Sequence, residues 1–376
     1  MGLMNPLHLI IIKAFILLFL GLCFNHGQAQ SKLDSLLPIR GICLAAPTPD
    51  GVDQFVSFIN DALVPRKLNT LVVRVDYRYQ YASRPELVAE NALSENDVKK
   101  IVTVCKAGGI KIIPQVNMLG HQSWYADVGK LLEHYPQFNE TPEIPLDKEI
   151  EWPNEWGLYC LSYCPLHPDV HEVLFDVIDE IVAVFEADAF HAGMDEVFFL
   201  GEDARCIGRD KAELFAGEVT TIRNHLAKSN KELWIWGDRL IDGKVTGIGL
   251  WEASYNNTHR AIDMIPKDVV INDWHYERPD PTAAYFALKG FKVVTCPWRF
   301  PEVTKKQLKM MIDFKEGATD VVRDNYQGML HTVWTSAENT IEQFYGRQDA
   351  TNARGGNWVE AFKAMFDEIE KLELND

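Results

Sequence analysis

The chain has 376 residues, 47% of them hydrophobic and 11% aromatic, with a formal net charge of −17. Such a chain can bury a large core, and its length suits one big α/β barrel with insertions or two ordinary domains. The balance of 54 Asp and Glu against 37 Lys and Arg excludes a nucleic-acid partner, because phosphate binding needs a basic face.

Residues 1–30 read as a secretory signal peptide. Lys13 precedes an apolar run from Ala14 to Phe24, and Gly27-Gln28-Ala29 supplies small residues for a cut near Ala29. A secreted or periplasmic protein is expected. The run is short for a membrane span and no basic stop-transfer cluster follows, so the mature chain is expected to have no span. A lipid anchor on Cys23 is the lesser alternative, because Leu22 is bulky where a small residue belongs. Cys160 and Cys164 can pair with each other, pair elsewhere or stay free. No second Cys or His pair at a matching distance makes a zinc pattern, and neither metal nor cofactor is expected.

From residue 31 onward, short β-like runs alternate with helical ones, the pattern of a parallel sheet wound with helices. The strands are predicted at Ile39 to Leu44, Thr70 to Val75, Ile110 to Val116, around Phe190, Leu233 to Trp236, Val269 to Trp274, Lys292 to Cys296 and Met329 to Trp334. Between them, Ser94 to Ala107 opens with a near capping box, Ser94 then Asp97. Pro168 to Phe185 carries Val170, Val173, Leu174, Val177 and Ile178 at helical spacing. Eight strand-helix units predict a TIM (β/α)8 barrel, one catalytic domain over residues 31–376. No Gly-rich loop follows the first strand, which excludes a dinucleotide fold. The connection from Met118 to His167 is too long for a turn, and long loops in compact domains tend to carry function.

Ala189 to Leu200 reads AFHAGMDEVFFL, a buried strand that delivers two adjacent carboxylates, Asp195 and Glu196. An acid-rich helix start is the bland explanation. The apolar flanks and the preceding strand favour catalysis, since desolvating two acids is costly. In a barrel of this kind the active site lies at the C-terminal strand ends. Those ends carry Asp76, His121, Trp236, Asp238, Trp274, Tyr276, Trp298 and Trp334, with His191 inside the fourth strand and Trp251 after the fifth. Tryptophans gathered at one rim make flat apolar walls with N–H donors, which suit sugar rings. Some of them can equally fill the top layer of the barrel. His191 and His121 can each hydrogen-bond in a site or serve the structure.

His191-Ala192-Gly193-Met194-Asp195-Glu196-Val197 resembles the signature of family 20 glycoside hydrolases, the β-N-acetylhexosaminidases. Gln115-Val116-Asn117-Met118-Leu119-Gly120-His121 is similar to the family's third-strand motif, with Gln115 and Asn117 in place of acids. Asp76, Trp236-Gly237-Asp238 and Arg40-Gly41 also match family positions. Ala45 and Thr48 stand where the family has an Asp and a sugar-gripping Arg, and Ser336 where it has a Glu. Arg78 and Arg299 are candidates for compensation, and the family's usual N-terminal α/β domain is not expected before the barrel.

The resemblance implies glycans ending in β-linked N-acetylhexosamine as substrates and a retaining, substrate-assisted mechanism. In that mechanism the 2-acetamido oxygen attacks the anomeric carbon and no enzymic nucleophile is needed. Glu196 would be the acid/base, Asp195 would hold the acetamido nitrogen, and Tyr276 would donate to the acetamido oxygen. The alternatives are a two-carboxylate glycosidase using Glu196 and Glu338, and a silent glycan-binding barrel.

Overall fold

Eight parallel strands close into a barrel in chain order: β1 (Ile39–Ala45), β2 (Thr70–Arg74), β3 (Lys111–Met118), β4 (Ala189–Gly193), β5 (Glu232–Trp236), β6 (Val270–Asp273), β7 (Lys292–Thr295) and β8 (Tyr326–Thr332). β8 pairs with β1, with Ile39 opposite Gly328 and Cys43 opposite Thr332. The computed structural model describes residues 32–124, 127–144 and 160–374. The expected signal peptide and Cys23 lie outside the described residues. Among the described residues no helix is long and apolar enough to cross a membrane.

All eight strands form where the Val- and Ile-rich runs predict them. The differences are at their ends: Val75, Trp274, Cys296, Val333 and Trp334 fall just beyond the last paired residue. Alternate strand residues turn inward. Cys43, Val72, Ile113, Ala189, Trp234, Trp236, Val270, Val294, Cys296 and Leu330 fill the barrel as one cluster. The other faces, such as Ile42, Leu44, Leu71 and Val73, pack under the helices.

The helix Glu95–Ala107 starts as its sequence predicts. Ser94 accepts from Asp97 N and Asp97 caps Ser94 N in return, a capping box that stabilises the end by about 1 kcal/mol. The helix Val170–Val184 buries Val173, Leu174, Val177, Ile178 and Ile181 against the strands, each contributing about 1.5–3 kcal/mol. The Met118 to His167 connection, as far as it lies in the described residues, holds a two-stranded pair (Ser123–Trp124 with Asp127–Val128) and a short helix, Lys130–His134.

β3 and β4 are the strands that shape the site. Their pairing slips between Gln115 opposite His191 and Met118 opposite Gly193. A bulge of this kind bends a strand and re-aims the residues after it, which is why bulges gather beside active sites.

Candidate active site

The chain leaves β4 through a sequence of left-handed residues: Gly193 (φ 67°), Met194 (φ 67°) and Glu196 (φ 49°). A Cβ on Gly193 would stand 2.4 Å from Asn117 Oδ1 and 3.3 Å from Asn117 Cα, so a side chain there would displace Asn117 as well as strain the backbone. Asp76, Leu119 and His121, at the ends of β2 and β3, are left-handed as well. Non-glycine residues held there cost about 1 kcal/mol or more each, and such strain collects at functional sites. The result is that Asp195 and Glu196, each 8% exposed, stand together at the barrel mouth.

His121 joins the two acids. Its Nε2 lies 3.2 Å from Asp195 Oδ2 and 3.2 Å from Glu196 Oε2. Burial alone would discharge the imidazole, but the Asp195 charge and hydrogen bonds to both acids outweigh it and raise His121 well above its usual range. Reciprocally, burial pushes the Asp195 carboxyl up, but the His121 charge and hydrogen bond hold it below its ordinary value. Each partner thus favours the charged form of the other. Asp195 Oδ1 is buried and has no hydrogen-bond partner among the described residues. Gly120 presses on the same turn: a Cβ there would meet the Asp195 carbonyl at 2.6 Å.

Asp238 is the platform beneath Glu196. Its Oδ2 accepts from Glu196 N at 2.9 Å and from Arg239 Nε at 2.6 Å, and its Oδ1 accepts from Trp274 Nε1 at 3.3 Å. Burial lifts the Asp238 carboxyl to about 6, against the pull of Arg239. With both oxygens engaged, Asp238 positions Glu196 and Trp274.

The tryptophans form the expected wall in part. Trp236 is fully buried and packs 4.5 Å from His191 and 5.9 Å from Trp334. Trp274 is nearly buried and faces Tyr276 at 5.1 Å, and Tyr276 meets Trp298 edge-on at 5.2 Å. Trp251, Trp298 and Trp334 are half-buried and pack on the inner barrel cluster, with Trp251 against Phe198. The Tyr276 hydroxyl accepts from Trp334 Nε1 at 2.8 Å and lies 3.4 Å from Thr332 Oγ1. His191 is buried and neutral: burial pushes it down to about 3, and its Nδ1 accepts from Gly193 N at 3.0 Å. Asp76 Oδ1 accepts from Asn117 N at 2.9 Å, fixing the end of β3.

A family model described as glycosyl hydrolase family 20, catalytic domain, matches residues 67–363. The chain belongs to glycosyl hydrolase family 20. It is similar to a β-hexosaminidase of Emericella nidulans, 24% identical over 233 residues, which are 57% of this chain and 36% of the relative. A β-hexosaminidase of Vibrio furnissii is also 24% identical, over 55% of this chain and 30% of its own length. The chain thus spans about a third of the curated relatives' length. A solved Flavobacterium johnsoniae chitobiase superposes with a TM-score of 0.58 at 18% identity, covering 90% of this chain and 52% of that one. A Vibrio harveyi exo-β-N-acetylglucosaminidase gives 0.57 at 17%, covering 89% and 58%. These likenesses show the shared barrel.

The departures from the family 20 pattern have structural consequences. Glu338 Oε1 accepts from Thr48 N at 2.8 Å and Thr48 Oγ1 at 3.0 Å, so this acid anchors the loop after β1. Arg299, one of the two candidates for compensation, pairs with Glu277 and lies 4.3 Å over Trp298. Three further groups at the rim were not singled out from sequence. Arg74 lies 4.6 Å over Trp334 and donates to Val333 O at 2.9 Å. Glu252 accepts from Tyr276 N at 3.3 Å and meets His275 Nδ1 at 2.9 Å. Cys160 Sγ donates to Glu196 O at 3.5 Å. Only Arg74, at a strand end, carried a positional signal. The recess at the other end of the barrel, lined by Lys111, Glu232 and Trp234, is separated from this site by the packed interior.

Proposed function

We infer that the protein is a retaining exo-glycosidase that removes terminal β-linked N-acetylhexosamine, acting as a secreted or periplasmic enzyme. The observation that carries this reading is the unpartnered, buried Oδ1 of Asp195, whose other oxygen meets His121 at 3.2 Å, directly beside Glu196. An acetamido N–H supplies the missing partner. The acetamido oxygen, thus oriented, attacks the anomeric carbon. The sugar–oxygen bond breaks as Glu196 protonates the leaving oxygen, and Asp195 stabilises the cationic oxazolinium in a water-poor site. Glu196 then takes a proton from the water that opens the ring, and the configuration is retained.

Tyr276 donates to the acetamido oxygen, while Trp298 and Trp334 lie against the sugar's apolar face. Glu338 does not suit the role of nucleophile, because Thr48 already takes its carboxylate. Glu196→Gln tests the acid. It should lose roughly 10²–10⁴ in rate on an unactivated disaccharide and less on aryl glycosides, whose leaving groups need little protonation. Unchanged turnover of the disaccharide would overturn the assignment.

A further inference from the structure

A second cluster of reactive side chains lies behind the catalytic turn. Cys164 and Cys206 are fully buried with their sulfurs 3.5 Å apart. Glu140 is fully buried beside them, and one donor atom from each of the three falls within 4.8 Å of the others. Glu140 Oε1 accepts from Gly201 N at 2.6 Å and Glu202 N at 3.0 Å. Its Oε2 makes no hydrogen bond of good geometry among the described residues, and the carboxylate lies within reach of the Cys164 and Cys206 thiols. Asp203, three residues before Cys206, is buried, and both its oxygens accept from Arg205.

We propose that Glu140, Cys164 and Cys206 form a structural site for a thiophilic divalent cation, Zn²⁺ in the first instance, with Asp203 or solvent as the fourth donor. Two thiolates bound at about 2.3 Å to one tetrahedral zinc stand about 3.8 Å apart, close to the separation seen here. A disulfide requires about 2.05 Å and would leave the Glu140 carboxylate buried against a neutral sulfur pair. A cation answers both features: it takes the two sulfurs as thiolates and gives Oε2 a partner. Both thiol protons leave to solvent on binding.

The site would tie three separate stretches together. Glu140 and Cys164 come from the long segment after β3, and Cys206 follows the turn that carries Asp195 and Glu196. Cys164 lies four residues beyond Cys160, whose thiol holds the Glu196 carbonyl. The cation would therefore brace the outer wall of the catalytic turn without touching substrate. This holds whatever sugar the barrel accepts.

The test uses the full chain, first assayed for zinc as purified, then stripped with a chelator under reducing conditions and titrated with Co²⁺. One equivalent should bind with a thiolate-to-cobalt charge-transfer band that Zn²⁺ abolishes. Cys206→Ser should lose the band, and Glu140→Gln should weaken binding at least about tenfold, a loss of the size seen when ligand support is removed. Should Cys206→Ser fail to fold, Glu140→Gln and the parent chain suffice. Cys160→Ser should keep the band, which separates this site from the His121, Cys160 and Glu196 trio in the catalytic centre. Three results would overturn the proposal: no stoichiometric band in the reduced protein, a band that survives Cys206→Ser, or an oxidised protein lighter by two hydrogens with Cys164 and Cys206 joined.

Discussion

His121 Nε2 and Asp195 Oδ2 stand 3.2 Å apart with both side chains nearly buried, and each favours the charged form of the other. Burial works against both charged forms, so the pairing decides the outcome. His121→Gln keeps a donor and removes the positive charge. Asp195 then loses what holds it down while its burial remains, and its carboxyl rises. The acidic limb of the kcat/KM profile should therefore move to higher pH. A limb that stays put or moves lower would show that His121 does not set the Asp195 charge.

Glu338 separates the two glycosidase chemistries. Its carboxylate receives the Thr48 amide and hydroxyl, which hold it below its usual range against the effect of burial. Glu338→Gln should cost about 1–2 kcal/mol of stability, the worth of charge-assisted hydrogen bonds. The rate of the chemical step should stay within a few-fold of the parent. Denaturant melts and pre-steady-state kinetics on one preparation give both numbers, and a collapse of the chemical step would restore Glu338 as nucleophile.

His331 should govern part of the acid sensitivity of the fold. It is buried on the outer side of β8 against Trp358 and Phe362, and burial depresses it from 6.5 to about 3. Above pH 6.5 it is neutral in both the folded and unfolded chain, and its contribution is complete. Below that, the unfolded chain takes a proton that the folded chain refuses, and stability falls by about 1.4 kcal/mol per pH unit down to the folded value. His191, depressed to about 3 as well, adds a second proton. His331→Gln should make the acid limb of ΔG against pH shallower by one proton. An unchanged slope would contradict the burial argument.

The barrel was legible because its signals are local. Val- and Ile-rich runs, the Ser94 to Asp97 cap and the apolar stripe of Val170 to Ile181 each sit within one element. The acidic pair at the end of β4 was legible as a candidate because Asp195 and Glu196 are adjacent and flanked by apolar residues. What escaped depends on long-range contacts. His121 reads equally as structural until its distance to both acids is known. Asp238 reads as a sugar ligand, and both its oxygens prove to be held by Glu196, Arg239 and Trp274. Glu140, Cys164 and Cys206 make no metal spacing because they arrive from three stretches of chain. Glu338 looked available as a nucleophile because Thr48, its partner, lies at the opposite end of the sequence.

The central claim is that the substrate, through its acetamido oxygen, supplies the nucleophile. The most direct measurement compares aryl β-glycosides with and without the 2-acetamido group, followed by mass spectrometry after incubation with an activated 2-fluoro sugar. The account predicts turnover of the N-acetylhexosaminide, no turnover of the plain glucoside and an unlabelled protein. Hydrolysis of the plain glucoside, together with a covalent adduct on a peptide containing Glu338, would contradict it.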